Sequence, residues 1–289
     1  MFDLRYHVAS LAAIFVALLI GILVGVALSG KVDDAEKQSL QSDVNRLEAE
    51  LDAASERTSS DAREQQALRT FVRNAYPALI ADRLRGKRVA VVFVGPVDSG
   101  LRRSIERTLD DAGASEPVRI RALKVPIDDS RLDGALDGEL AEYRGADLDE
   151  LGGELARELV DGGETPAWDA LTPLIVEEQA GSFARPVDGV VVTRTVAAQT
   201  GETARLMSGF YSTLAGIEVP TIGVEPSDVS ESAVPRWSGA GLSTVDDIEA
   251  PAGRLALALL LAGSSIGDYG LKETADDGIV PPVEAQPSD

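Results

Sequence analysis

The sequence predicts an α/β protein: an N-terminal transmembrane helix and a long coiled-coil helix, followed by a Rossmann-like α/β domain with a mainly parallel sheet. Three observations lead there. Val8–Leu28 is free of charged residues, Val32–Tyr76 is polar and free of Gly and Pro, and beyond Gly86 short β-branched runs alternate with helical stretches. Each pattern matches one periodicity or length that secondary structure imposes on a chain.

At about 1.5 Å per residue, Val8–Leu28 as a helix covers roughly the 30 Å of a bilayer's hydrocarbon core. A cleavable signal has an apolar region of only about 7 to 15 residues. An uncleaved anchor is therefore the expectation, with cleavage after Ala27-Leu28-Ser29 as the alternative. Arg5 on one flank nearly balances Lys31 and Lys37 on the other. The short head nevertheless places the N-terminus in the cytoplasm and the main domain outside the cytoplasmic membrane. Ala9, Ala13, Ala17, Gly21, Gly25 and Ser29 form a ridge of small residues, and small residues let two backbones approach closely in lipid. Gly21 and Gly25 are the candidate helix-pairing residues.

The next segment carries Leu40, Val44, Leu47, Leu51, Ala54, Thr58, Asp61, Gln65, Leu68 and Val72 at alternating spacings of four and three, the seam of a heptad repeat. A parallel two-stranded stalk is the expected arrangement, and a single amphipathic helix is the alternative. The implied domains are an anchor over 1–30, a coiled-coil stalk over 31–76, an extracytoplasmic α/β domain over 86–272 and a disordered tail over 273–289.

Four strands are expected in the globular part: Lys87–Gly95, Val118–Val125, Val187–Val196 and Val219–Glu225. Their runs are apolar on both faces, as strands of a parallel sheet covered by helices must be. Expected helices are Ser99–Ala114, ended by Gly113, then Leu148–Val160, Pro166–Gln179, Glu202–Leu214 and Ala252–Gly263, with Pro251 in the first turn of the last.

Composition narrows the chemistry. The chain has 289 residues, 44% of them hydrophobic, enough for a substantial core. Its 27 basic and 48 acidic residues give a net charge of -21, which repels phosphate backbones, so no nucleic-acid partner is expected. There is no cysteine for a disulfide or a thiolate site. The first strand runs into GPVDSG, which has neither the G-x-G-x-x-G order nor a Gly-Lys-Ser/Thr. The sole histidine, His7, lies beside the apolar segment, so a Ser-His-Asp triad in the globular part is excluded. Soft metal ligands amount to Met1, Met207 and His7, with Met207 read as core filler. The adjacent pairs Asp128-Asp129 and Asp246-Asp247 lack recognisable ligand spacing. No catalytic, cofactor-binding or metal-binding residue is assigned, and no enzyme activity is expected.

Two segments carry a resemblance: FDLRYHVASLAAIFVALLIGILVG at the start, and LSTVDDIEAPAGRLALALLLAG followed by GDYG near the end. They resemble the signature segments of the mycobacterial copper transport protein B family, the copper transport outer membrane protein family of actinobacteria. The resemblance implies a role in copper ion homeostasis or transport and a place in the outer envelope. It also singles out Ser243, Thr244, Val245, Asp246, Asp247, Gly253 and Arg254 as a motif without an assigned chemical role. The resulting expectation is a single-pass envelope protein, homodimeric through its membrane helix and stalk, with the lipid bilayer as partner and copper ion as a candidate one. The alternative is a dimeric scaffold of the cell envelope with no direct copper chemistry.

Overall fold

The structure, a computed structural model, describes residues 4–28, 34–114, 119–144 and 148–283. Ser29, the boundary expected at residue 30, the strand start at Val118 and residues 284–289 of the tail lie outside the described residues. The chain divides into two units, Met1–Arg69 and Thr70–Asp289.

The first unit holds α1 (Leu4–Leu28) and most of α2 (Asp34–Ile80). Val16, Leu19, Ile20, Leu23 and Val24 of α1 line a cavity of about 200 Å³ together with Val44, Leu47 and Leu51 of α2. The expected transmembrane helix is corrected here: among the described residues no helix is long and apolar enough to cross a membrane. The coiled-coil expectation is corrected with it. Val44, Leu47 and Leu51, three positions of the anticipated seam, line this cavity with α1, and no paired coiled coil is shown among the described residues.

In the second unit the α/β class is observed, with a mixed sheet. Among the described residues seven strands run in the order β3-β2-β1-β4-β5-β6-β7. They are β1 (Val89–Val94), β2 (Arg119–Leu123), β3 (Val176–Gly181), β4 (Gly189–Arg194), β5 (Thr221–Val224), β6 (Ser243–Val245) and β7 (Asp268–Tyr269). Only β3 pairs antiparallel, against β2; the other described pairings are parallel. Three of these strands differ from expectation. Pro166–Gln179 is not one helix: α6 (Pro166–Ile175) ends where Val176 turns into β3. Pro173 inside α6 weakens it there, and the open edge of β2 takes the following residues as a partner. β6 and β7, three and two residues long, are too short to register as periodic runs.

Both faces of the sheet are covered, as the uniformly buried β1 and β4 require. One face buries Val92, Val190 and Val192 under a layer of α4 (Asp129–Ala135), α5 (Leu148–Asp161), α6, α7 (Gly201–Gly216) and α8 (Val234–Gly239). The other packs Val91, Phe93 and Ile222 against α3 (Ser99–Asp111) and α9 (Pro251–Leu261). The C-terminal end of α2 belongs to that second layer, with Ile80 and the following Leu84 fully buried. Burying such a side chain contributes about 1.5 to 3 kcal/mol. Tyr76 adds a polar tie, donating to Asp111 Oδ2 at 2.7 Å while the Arg254 guanidinium lies 5.2 Å from its ring centre.

Candidate functional site

In a sheet of this order, ligands bind outside the carboxyl ends of the strands where the strand order reverses, here between β1 and β4. That crevice is filled. Gly95, at φ +110°, follows β1, and a Cβ there would stand 2.6 Å from Thr195 Oγ1 and 2.7 Å from Val196 Cγ1. Thr195 donates to the Pro96 carbonyl at 2.7 Å, closing the gap between the two strand ends. The N-terminus of α3, where a phosphate would dock, is taken by Asp98, which accepts from the Leu101 amide at 2.7 Å.

The acids instead gather farther along the same edge, beyond β5, β6 and β7. Glu225 directly follows β5 and is almost fully buried. It accepts from Ser232 Oγ at 2.6 Å, the Ala233 amide at 2.8 Å and Lys272 Nζ at 2.5 Å. Lys272 also reaches the Pro226 carbonyl. Asp246 directly follows β6 and accepts from the Leu271 amide at 2.7 Å and from the Lys272 amide through both oxygens. Close approach makes this possible: Gly270 sits at φ +144°, and a Cβ on it would lie 1.9 Å from Asp246 Oδ1.

The structure brings most of the motif together. Ser243 Oγ accepts from the Gly267 amide at 3.3 Å. Thr244 donates to Asp268 Oδ1 at 2.6 Å, while Ser238 donates to the other oxygen of that carboxylate at 2.7 Å. Val245 is core. Gly253, in the first turn of α9, leaves room for Asp247: a Cβ would stand 2.2 Å from the Asp247 carbonyl oxygen and 2.3 Å from its Oδ1. Arg254 stands apart from the acids, over Tyr76. Gly21 and Gly25 belong to the first unit and have no atom within 4 Å of an added Cβ. The STVDD and GDYG segments are therefore two sides of one joint, β6 and its loop on one and β7 and its turn on the other.

Within this joint Asp247 is the exception. It is 0% exposed, and among the described residues neither of its carboxylate oxygens has a hydrogen-bond partner. Burial first, then the charges of Asp246 and Glu249, push its carboxyl up from 3.8 to about 7. Sequence reasoning singled out Asp247 as a motif residue but missed Glu225, Lys272, Asp268 and Gly270. The signal for Gly270 was available in GDYG, quoted for resemblance without a geometric role.

Among the described residues no three His, Cys, Asp or Glu side chains converge as a metal ion requires. Met207 is buried in the core beneath α7. A separate buried pair, Arg119 and Arg121 of β2, stacks on Phe183 at 4.7 and 4.4 Å. Arg119 donates to the carbonyls of Leu159 and Arg185, so it pins the loop before β4. Burial, and then the charges of Arg121 and Arg88, push Arg119 down to about 10.

A family model described as "Copper transport outer membrane protein, MctB" matches residues 1–280. The chain belongs to this family. Similar relatives described as "Copper transporter MctB" occur in Mycobacterium bovis and in two strains of Mycobacterium tuberculosis. Each is 24% identical over 321 aligned residues, covering 93% of this chain and 96% of the relative. Near-complete coverage on both sides means that the MctB match takes in both units and the joint around β6 and β7.

Proposed function

We propose that this protein acts in copper ion homeostasis, as a transport-associated component of the cell envelope. The observation that carries the reading is the family match over residues 1–280, joined by relatives named as copper transporters along 93% of the chain. The envelope placement draws on the outer-membrane wording of the family description.

The role is a non-catalytic one on this reading. The crevice between β1 and β4 is filled by Thr195 and Val196, and Glu225 and Asp246 spend their oxygens on structural donors. Self-association belongs to the same proposal, with Gly21 and Gly25 as the contact in a homodimer. Support comes from the exposed apolar side chains beside them, Leu18 and Ile22 among them; small residues allow close helix contact.

The test is deletion of the gene with complementation by the full chain. Cells lacking the protein are expected to grow poorly in copper and to hold more copper by elemental analysis, with both effects reversed on complementation. Unchanged growth and unchanged metal content overturn the reading.

A further inference from the structure

Ionised Asp247 has no visible means of support. Its side chain is 0% exposed and, among the described residues, accepts no hydrogen bond. A buried carboxylate in that position is strongly disfavoured unless a counter-charge or a set of donors faces it. The surrounding groups supply neither. On its own stretch stand two further acids, Asp246, held by the amides of residues 271 and 272, and Glu249, which accepts from Ser227. Beyond β5 lies Glu225, a third acid. From beyond β7 comes Lys272, whose ammonium is engaged by Glu225 and the Pro226 carbonyl. From α9 comes Arg254, which donates to the Glu249 carbonyl at 3.5 Å and lies over Tyr76. Tyr76 of α2 is in turn bonded to Asp111, at the end of α3.

Gly253 completes the enclosure. The first turn of α9 passes so close to Asp247 Oδ1 that a Cβ would overlap it. Ala250, the residue preceding α9, has no side chain that could cap the helix. The carboxyl is therefore shut between β6 and α9, with no donor reaching it from another described residue.

We propose that Asp247 is held as a neutral carboxylic acid and works as a proton-operated latch on the first turn of α9. With the proton bound, the β6–α9 corner stays closed. When the O–H bond breaks, the proton leaves to water and the carboxylate keeps the electron pair. The charge then demands solvation, which the corner supplies by opening at residues 250–254. A folded-state value of about 7 places the transition in the range where ambient acidity varies. The inference stands on the geometry of this corner and does not depend on the copper reading.

Hydrogen exchange of the full chain tests it, comparing the wild type with Asp247→Asn after correction for the intrinsic pH dependence of exchange. In the wild type, protection of residues 250–256 is expected to fall roughly fivefold to tenfold per pH unit between about pH 5 and pH 7 and to level off above that. In Asp247→Asn it stays flat. A wild type whose protection is unchanged over that range, or an Asn variant showing the same fall, overturns the latch. Infrared titration of the wild type supplies a second readout that does not require the variant to fold. A protonated aspartic acid band is expected at about pH 5.5, disappearing toward about pH 8. Its absence at the lower pH overturns the proposal.

Discussion

α6 and α9 begin alike, and a buried acid approaches each beginning, yet the two acids are treated in opposite ways. Both helices carry Pro in the first turn, and neither Thr165 nor Ala250 caps its helix with a side chain. At α6 the missing cap is supplied from α5: Glu158 accepts from the Ala167 and Trp168 amides, both at 2.9 Å. At α9 the Asp247 carboxylate packs against Gly253 of the first turn but accepts from none of that turn's amides. Burial raises both carboxyl groups. At Glu158 two first-turn amides pull the other way, whereas at Asp247 the only backbone donor that does so is its own amide. A buried acid at a helix start is thus a structural cap or a titrating group according to whether its oxygens reach the first-turn amides.

Substituting the satisfied acid has the largest expected effect. Glu158→Ala strips two buried amides of their acceptor and leaves a void, with an expected loss of about 4 kcal/mol in denaturant unfolding. A loss below about 1 kcal/mol would break the contrast.

Asp247→Asn is expected to act in the opposite direction, and in a pH-dependent way. The folded state retains the Asp247 proton up to about pH 7, whereas the unfolded chain releases it near 3.8. Between those values the folded state binds more protons, so the stability this group contributes is complete below about pH 4 and is lost as pH rises through about 7. The Asn variant should match the wild type near pH 4 and exceed it by up to about 4 kcal/mol at pH 8. Equal stability at pH 8 would make the two helix starts equivalent. The other acidic residues titrate in both proteins, so the difference between the two curves isolates this one.

Gly253→Ala sharpens the same corner. The added methyl meets the Asp247 carbonyl as well as its carboxyl, and backbone gives less readily than a side-chain tip. A loss of about 2 kcal/mol is expected in thermal unfolding. At the third helix start, Asp98→Ala removes the carboxylate cap of α3, and about 1 kcal/mol should be lost. That smallest effect calibrates the others, since Asp98 is an ordinary cap near the surface.

Legibility from sequence follows how local the determining interaction is. β1, β4 and β5 were readable because strands buried on both faces must be continuous apolar runs, and VAVVFV and GVVVTR are such runs. α3 was readable from its amphipathic spacing and from the glycine that ends it. β3 was not: VEEQAG is almost wholly exposed, and what makes it a strand is the unpaired edge of β2. β6 and β7 are likewise made by their neighbours. The expectation of a membrane-spanning α1 rested on residue types and their run length, whereas which α1 side chains line a cavity with Val44, Leu47 and Leu51 of α2 is decided by tertiary structure.

By itself, the sequence determined the alternation of strands and helices, the lack of a phosphate-loop motif after the first strand, the absence of cysteine and the identity of the STVDD and GDYG segments. These depend on residue type and short-range spacing, which a chain displays before it folds. Tertiary structure alone decided that Asp246 would be saturated with donors and Asp247, its immediate neighbour, with none. β6 ends at Val245 and the chain bends at Asp246, so adjacent acids of identical chemistry meet different surroundings: one the turn after β7, the other the closed first turn of α9.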